Sequence, residues 1–172
     1  MKQFITLIVS ILSLIAIAAP AANAQHGEKS VGLRAGYTTR NNTASAGLYF
    51  SYRFTEHFRI APKIDYAFRH NKTDAFSFNF DTEYPIALNT VNTVNFYPIA
   101  GLNYSTYSTH TSVADSDESD DASVRESHFG LNLGAGVEYF ATPTLRLSFE
   151  SKCQLVKKYT GGWFTISIGY RF

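Results

Sequence analysis

Cysteine is nearly missing from this chain. Cys153 is the single one among 172 residues, which excludes a disulfide framework within one chain and any cysteine-rich metal site. An excess of charge is missing too: 15 basic side chains stand against 14 acidic ones, and Lys2 accounts for the difference. Without a basic surplus there is no field to gather nucleic acid, and no nucleic-acid partner is expected. Long hydrophobic runs are confined to residues 1–24. Beyond them no stretch reaches the roughly 20 apolar residues of a transmembrane helix. If this chain crosses a bilayer, it crosses with strands.

The N-terminus reads as a leader. Lys2 supplies a short positive region, residues 4–19 form an almost uncharged apolar run, and Ala22, Asn23 and Ala24 put small residues where a signal peptidase reads them. The expectation is a signal peptide over 1–24, cleaved before Gln25, followed by one domain over 25–172. A retained spanning helix is the alternative, but the run is short for that and ends in Pro20 before an A-x-A site. No Cys follows the run, so a lipoprotein anchor is not expected.

What the chain has in quantity is aromatic rings: 11 Tyr, 14 Phe and one Trp, at a mean hydropathy of −0.12. A chain both aromatic and polar points to alternation, with apolar side chains on one face of a strand and polar ones on the other. In 44–54, Ala44, Ala46, Leu48, Phe50, Tyr52 and Phe54 share one face while Ser45, Gly47, Tyr49, Ser51 and Arg53 share the other. In 58–69, Phe58, Ile60, Pro62, Ile64, Tyr66 and Phe68 oppose Arg59, Ala61, Lys63, Asp65, Ala67 and Arg69. Wound as helices, these segments would mix charge and oil all round.

Read the same way, the whole chain predicts eight strands, at 30–40, 44–54, 58–69, 76–88, 94–107, 128–140, 145–156 and 163–172. Each is about the length a tilted strand needs to cross a bilayer. Connections after the second, fourth and sixth strands are short, at 55–57, 89–92 and 141–144, whereas the one after the fifth, 108–127, is long. Short turns on one side and longer loops on the other are the outer-membrane pattern, which places the termini and short turns in the periplasm. The fold expected is all-β: an eight-stranded antiparallel up-and-down transmembrane β-barrel behind a cleaved leader.

Energetics decides which face looks outward. A lipid-facing Arg or Lys near the midplane costs ~2–4 kcal/mol, so the charged faces turn inward and the oily faces meet lipid. A water-soluble barrel has the opposite arrangement, and a soluble β-sandwich with an aromatic core is the remaining alternative. Two aromatic girdles are expected: Phe54, Phe58, Tyr84, Tyr139, Tyr170 and Phe172 on the periplasmic side, and Tyr37, Tyr66, Phe68, Phe76, Tyr104 and Trp163 on the outer side.

The last ten residues, WFTISIGYRF, resemble the closing strand of outer-membrane barrel families, with a terminal Phe172 preceded at alternating positions by Tyr170, Ile168, Ile166 and Phe164. That resemblance implies that Tyr170 and Phe172 belong to the signal read by the barrel-assembly machinery, which becomes an expected partner together with outer-membrane lipid. The chain as a whole resembles small porin-like outer-membrane β-barrels of the OmpX and OmpA-barrel type. The phrases FYPIAGLNYS and FGLNLGAGVEYF are similar to porin-family barrels of Bacteroidetes-like bacteria. The resemblance implies the outer membrane of a Gram-negative bacterium. With nothing after Phe172, a cell-wall-binding domain of the OmpA kind is not expected.

The candidate interior is a charge network of Arg34, Arg53, Lys63, Asp65, Glu83, Glu138, Arg146, Glu150, Lys152 and Arg171, interleaved with Gly32, Gly36, Gly101, Gly130, Gly134 and Gly136. Eight strands leave room only for their own side chains, and charges removed from water persist when paired. A structural network is therefore the first reading and a narrow polar pore the second. Catalysis has little to stand on. His110 and Ser112 lie in the long loop, and nucleophilic chemistry also needs an oriented base and oxyanion donors. The protein is expected to be no enzyme and to need no cofactor.

That loop carries ADSDESDDAS, whose Asp115, Asp117, Glu118, Asp120 and Asp121 invite a calcium reading. Glu126 falls at position twelve counted from Asp115. Asp115, Asp117, Asp121 and Glu126 are the candidate ligands, with His110 and His128 flanking. However, Asp120 stands where an EF-hand needs Gly, and a solvated acidic loop is the simpler account. Three functions follow: a non-enzymatic surface protein displaying its loops to an unidentified external ligand, a narrow channel for ions or very small solutes, and a lipid-modifying enzyme. The acidic loop, as the distinctive feature outside the barrel, favours the first.

Overall fold

The computed structural model describes residues 27–88, 93–111 and 122–172. The expected leader, its cleavage site, the 89–92 turn, Ser112 and the acids from Asp115 to Asp121 lie outside the described residues. Within them the chain forms β1 (Lys29–Thr38), β2 (Thr43–Thr55), β3 (Phe58–His70), β4 (Thr73–Glu83), β5 (Ile86–Ala87), β6 (Val94–Thr111), β7 (Ala122–Phe140), β8 (Leu145–Val156) and β9 (Gly161–Arg171). Each pairs antiparallel with its neighbours. β1 pairs β9, and β4 pairs β6 from Thr73↔Thr109 to Glu83↔Ile99, which closes the ring. β5 carries the β4 wall onward along β6, so the nine segments make an eight-stranded barrel, with no helix among the described residues. The interruption falls at Tyr84 and Pro85, where proline has no N–H for the ladder.

Side chains alternate as the sequence pattern requires. Along β2 every second residue from Thr43 to Arg53 faces inward, with the glycine at 47 in the same row, while Leu48 and Phe50 face outward. Leu48, Phe78, Phe149 and Ile166 are among the large apolar side chains left exposed on the outside, a surface that only lipid can cover. The interior holds the charges. At the turn between β3 and β4, Asn71 and Lys72 both have positive φ, 50° and 66°, as a two-residue hairpin that matches strand twist demands. Lys29 and Phe172 exchange backbone hydrogen bonds at 2.9 and 2.8 Å, which fastens the start of the first strand to the end of the last.

Three expectations are corrected. β6 and β7 run to Thr111 and from Ala122, well into the stretch expected to be loop, and pair throughout. Oily alternation fades there because a strand that rises out of lipid meets water on both faces. Thr109, Thr111 and Val124 still favour extended backbone. Trp163 does not join the outer girdle: it is buried in the lumen. Its parity is opposite to that of Phe164 and Ile166, so the closing-strand alternation itself puts it inside. Arg171, expected in the lumen, sits at the rim, where it donates to the Pro143 carbonyl at 2.7 Å.

Candidate functional site

The lumen is filled in layers. Nearest the terminal end, Glu138 takes hydrogen bonds from Arg59 Nη1 at 2.7 Å and Asn95 Nδ2 at 2.9 Å, with Arg146 Nε 2.7 Å away. Arg59 Nε also donates to Glu83 Oε2 at 2.6 Å. Arg53 is held more loosely, 3.6 Å from Glu138 and 3.7 Å from Glu28. The Arg59 guanidinium lies 4.9 Å from the Tyr97 ring centre and that of Arg146 5.3 Å from the Tyr49 ring centre, within cation–π range.

The next layer is centred on Lys63, whose Nζ reaches Glu83 at 2.8 Å, Glu150 at 2.9 Å and Asp81 at 3.2 Å. Arg34 bridges Asp65 at 3.0 Å and Glu150 at 3.1 Å, and Lys152 reaches Asp81 at 3.2 Å. Above it lie amides: Asn132 donates to Asp81 at 2.6 Å and to Asn79 at 2.9 Å, Asn103 to Asn132 at 2.8 Å, and Gln154 to Asn79 at 2.8 Å. At the hairpin end Ala67, Ala75, Tyr107, Val156 and Trp163 form an apolar plug.

Glycines make this packing possible. Gly47 stands opposite Arg34, Gly101 opposite Asp81, Gly134 opposite Lys152 and Gly136 opposite Glu150. A Cβ at Gly32 or Gly169 would run into the Tyr49 ring, and one at Gly136 into the ring of Tyr97. Small residues on one strand thus give room to the long inward side chain on the next, which lets a ring of eight strands hold this much charge.

Of the residues expected inside, Arg34, Arg53, Lys63, Asp65, Glu83, Glu138, Arg146, Glu150 and Lys152 are placed in the lumen and buried. Arg59, Asp81, Glu28 and the amides were not among them. The signal for Arg59 was present, since it shares parity with Lys63 and Asp65. Asp81 likewise shares the row of Ser77, Asn79 and Glu83 behind Phe76, Phe78 and Phe80.

Beyond the plug, Tyr159 of the β8–β9 turn stacks on Tyr107 at 4.0 Å with an 11° interplanar angle, and Arg40 lies 4.3 Å from its ring centre. The Tyr159 hydroxyl donates to Glu126 Oε2 at 3.0 Å, and His128 Nε2 approaches the same oxygen at 3.3 Å. Glu126 is therefore engaged by the turn. Among the described residues no group of three or more His, Cys, Asp or Glu is arranged to hold a metal.

Oil outside, charge inside and closure without an edge define a membrane-spanning β-barrel of the outer-membrane class. Residues 8–172 match the family described as outer membrane protein beta-barrel domain, and the chain belongs to that family. Its fold is similar to the N-terminal β-barrel domain of Pseudomonas aeruginosa OprF, with a TM-score of 0.68 and 16% identity over 86% of this chain and 98% of that one. It is also similar to Ail, the attachment invasion locus protein of Yersinia pestis (0.60, 17%, 86% and 99%). Neisserial surface protein A is a third (0.61, 16%, 88% and 98%). Likeness at these identities shows the fold. No curated protein sequence matches the chain.

Proposed function

We propose that this protein is a non-enzymatic surface protein of a Gram-negative outer membrane, exported by its 1–24 leader. The barrel is a closed anchor, and the β6–β7 hairpin is the part presented to the outside. The observation that carries this reading is the filled lumen: two ionic layers, an amide layer and an apolar plug follow one another between the ends. Beyond Gly130, the last β7 residue paired with β8, β7 continues back to Ala122 in company with β6 alone. On the other side β6 stays paired with β4 as far as Thr109, so the hairpin rises past the end of β8 on one side only, and the sequence puts the acidic segment 112–121 between its two strands. The names of two similar structures, a surface protein and an attachment invasion locus protein, point the same way. On this reading outer-membrane lipid surrounds the wall, the assembly machinery acts on Tyr170 and Phe172 during insertion, and an external ligand meets the hairpin.

A narrow channel is the second reading, favoured by the polar lumen below the plug. Conductance of the refolded protein in a planar bilayer decides between them. A closed anchor gives no steady current steps. Stable ion-conducting steps that change size in Glu150→Gln or Lys152→Gln would establish the channel instead.

A further inference from the structure

At the terminal end the layers leave a cavity of about 120 Å³, lined by Arg53, Glu56, His57, Asn95, Phe140 and Arg171 among others. The exposed Glu56 is in none of the ion pairs around it, and the carboxylates that are paired fall short of the guanidiniums. Glu28, Glu83 and Glu138 serve four guanidiniums, those of Arg53, Arg59, Arg146 and Arg171, and Glu83 is shared with Lys63 as well. The shortfall falls on Arg53. It is 5% exposed, yet its Nε and Nη2 have no hydrogen-bond partner, and its two ion pairs, at 3.6 and 3.7 Å, are longer than hydrogen bonds. A buried guanidinium left in this state is unusual, because unmade hydrogen bonds of a charged group are costly.

Asn95 beside it is 4% exposed and half satisfied. Its Nδ2 donates to Glu138 Oε1. A carboxylate only accepts, so this bond fixes the amide orientation and leaves Oδ1 as an acceptor without a donor. Arg53 Nη2 and Asn95 Nδ2 approach the same oxygen, Glu138 Oε1, at 3.6 and 2.9 Å. The under-bonded cation and the free acceptor therefore lie side by side on one cavity wall. Arg171 adds a second positive charge, its guanidinium 4.5 Å from the Phe140 ring centre. Glu56, exposed on the β2–β3 turn, is the lining group that opposes an anion.

We propose that this mouth binds a carboxylate carried next to a hydrogen-bond donor, as at the C-terminal end of a peptide: Arg53 holds the carboxylate and Asn95 Oδ1 accepts the donor. The volume admits the terminal group of a chain and excludes a folded partner. A flat carboxylate suits a guanidinium, which offers parallel N–H donors. Phe140 gives the small apolar part of such a ligand a surface to lie on.

N-acetylalanine, titrated into ¹⁵N-labelled full barrel in detergent micelles, tests this. The expected result is a saturable shift of the Arg53 and Asn95 side-chain N–H signals. Binding should be about tenfold weaker for N-acetylalanine amide, which lacks the carboxylate, and for acetate, which lacks the donor. Arg53→Lys should weaken N-acetylalanine about tenfold, and Glu56→Gln should tighten it. Heat-modifiable gel migration reports whether each variant is folded. Should Arg53→Lys not fold, the wild-type comparison of the three probes and the Glu56→Gln result still decide. Absence of a saturable shift in the wild type overturns the site. Equal binding of acetate or inorganic phosphate overturns the paired-donor recognition, as does an undiminished shift in folded Arg53→Lys.

Discussion

Lys63 on β3 donates to both carboxylate oxygens of Glu150 on β8, at 2.9 and 3.0 Å, across the lumen and 87 residues away in the chain. Their side chains are 1% and 3% exposed. Glu150 also takes hydrogen bonds from Arg34 at 3.1 Å and from the Tyr97 hydroxyl at 3.2 Å. One carboxylate thus ties β1, β3, β6 and β8 together through the interior, in a ring whose backbone pairing links only neighbours.

Glu150→Gln should therefore destabilise the barrel well beyond the effect of a surface change. Removing one partner of a buried ion pair costs about 3–5 kcal/mol where the site is dry, and here two cations lose their shared anion. The measurement is the urea midpoint of barrels refolded into lipid vesicles, read by gel migration. A midpoint equal to wild type would mean that water reaches this layer and screens it.

Trp163, the single tryptophan of the chain, reports directly on the plug. It is 3% exposed among Ala67, Ala75, Tyr107 and Val156. Its fluorescence should be little quenched by brominated lipid or by acrylamide, whereas a girdle tryptophan would be strongly quenched by the lipid. Trp163→Ala should cost about 3–5 kcal/mol as a cavity-forming change.

Phe172 closes the barrel by pairing with Lys29 through two backbone hydrogen bonds, and its ring stacks on Tyr170 at 6.2 Å. The backbone bonds survive Phe172→Ala, so a purely structural role predicts a small loss. The expected outcome is larger: a severalfold drop of folded barrel in the outer membrane, with the chain found in the periplasm or degraded. Undiminished folded protein in cells would remove the assembly role.

Most of the wall was legible in the sequence, and the reason is the solvent on each side. Lipid outside and a crowded lumen inside impose a strict period of two on residues such as Phe76 to Glu83, so strand, face and contents follow together. The same parity places Arg59 and Asp81 in the lumen. Parity does not reveal which cation meets which anion, because Lys63 and Glu150 are brought together by ring closure. It also fails where lipid ends, which is why β6 and β7 were read as shorter than they are. Trp163 shows the opposite error, a preference of tryptophan for interfaces given more weight than the parity of its own strand.

The proposed orientation sets one end of the barrel outside the cell. The start of β1, the end of β9 and the turns after β2 and β7 lie at one end, and the far ends of β6 and β7, which 112–121 join in sequence, at the other. Protease added to intact cells should cut within 112–121 and spare the 141–144 turn. Cutting of 112–121 only after the cells are permeabilised would reverse the orientation and with it the surface role.

A titratable contact fastens the hairpin to the β8–β9 turn: Glu126 accepts from the Tyr159 hydroxyl, with His128 of its own strand beside the same oxygen. The hydrogen bonds from His128 and the Tyr159 hydroxyl, and then the charge of Lys158, hold the Glu126 carboxyl below its ordinary value. A carboxyl depressed in the folded state contributes stability above its unfolded value, roughly 4.3, and loses that contribution as pH falls through the folded value. The fastening is thus complete at neutral pH and released only in acid. Amide exchange of residues 124–129 in the intact barrel checks this. At about pH 6–7, Glu126→Gln and Tyr159→Phe should each exchange faster than wild type, and the difference should shrink as the pH is taken below about 4, where the wild-type carboxyl also becomes protonated. Equal exchange of wild type and both variants at neutral pH would show that the hairpin is held by its β6 pairing alone.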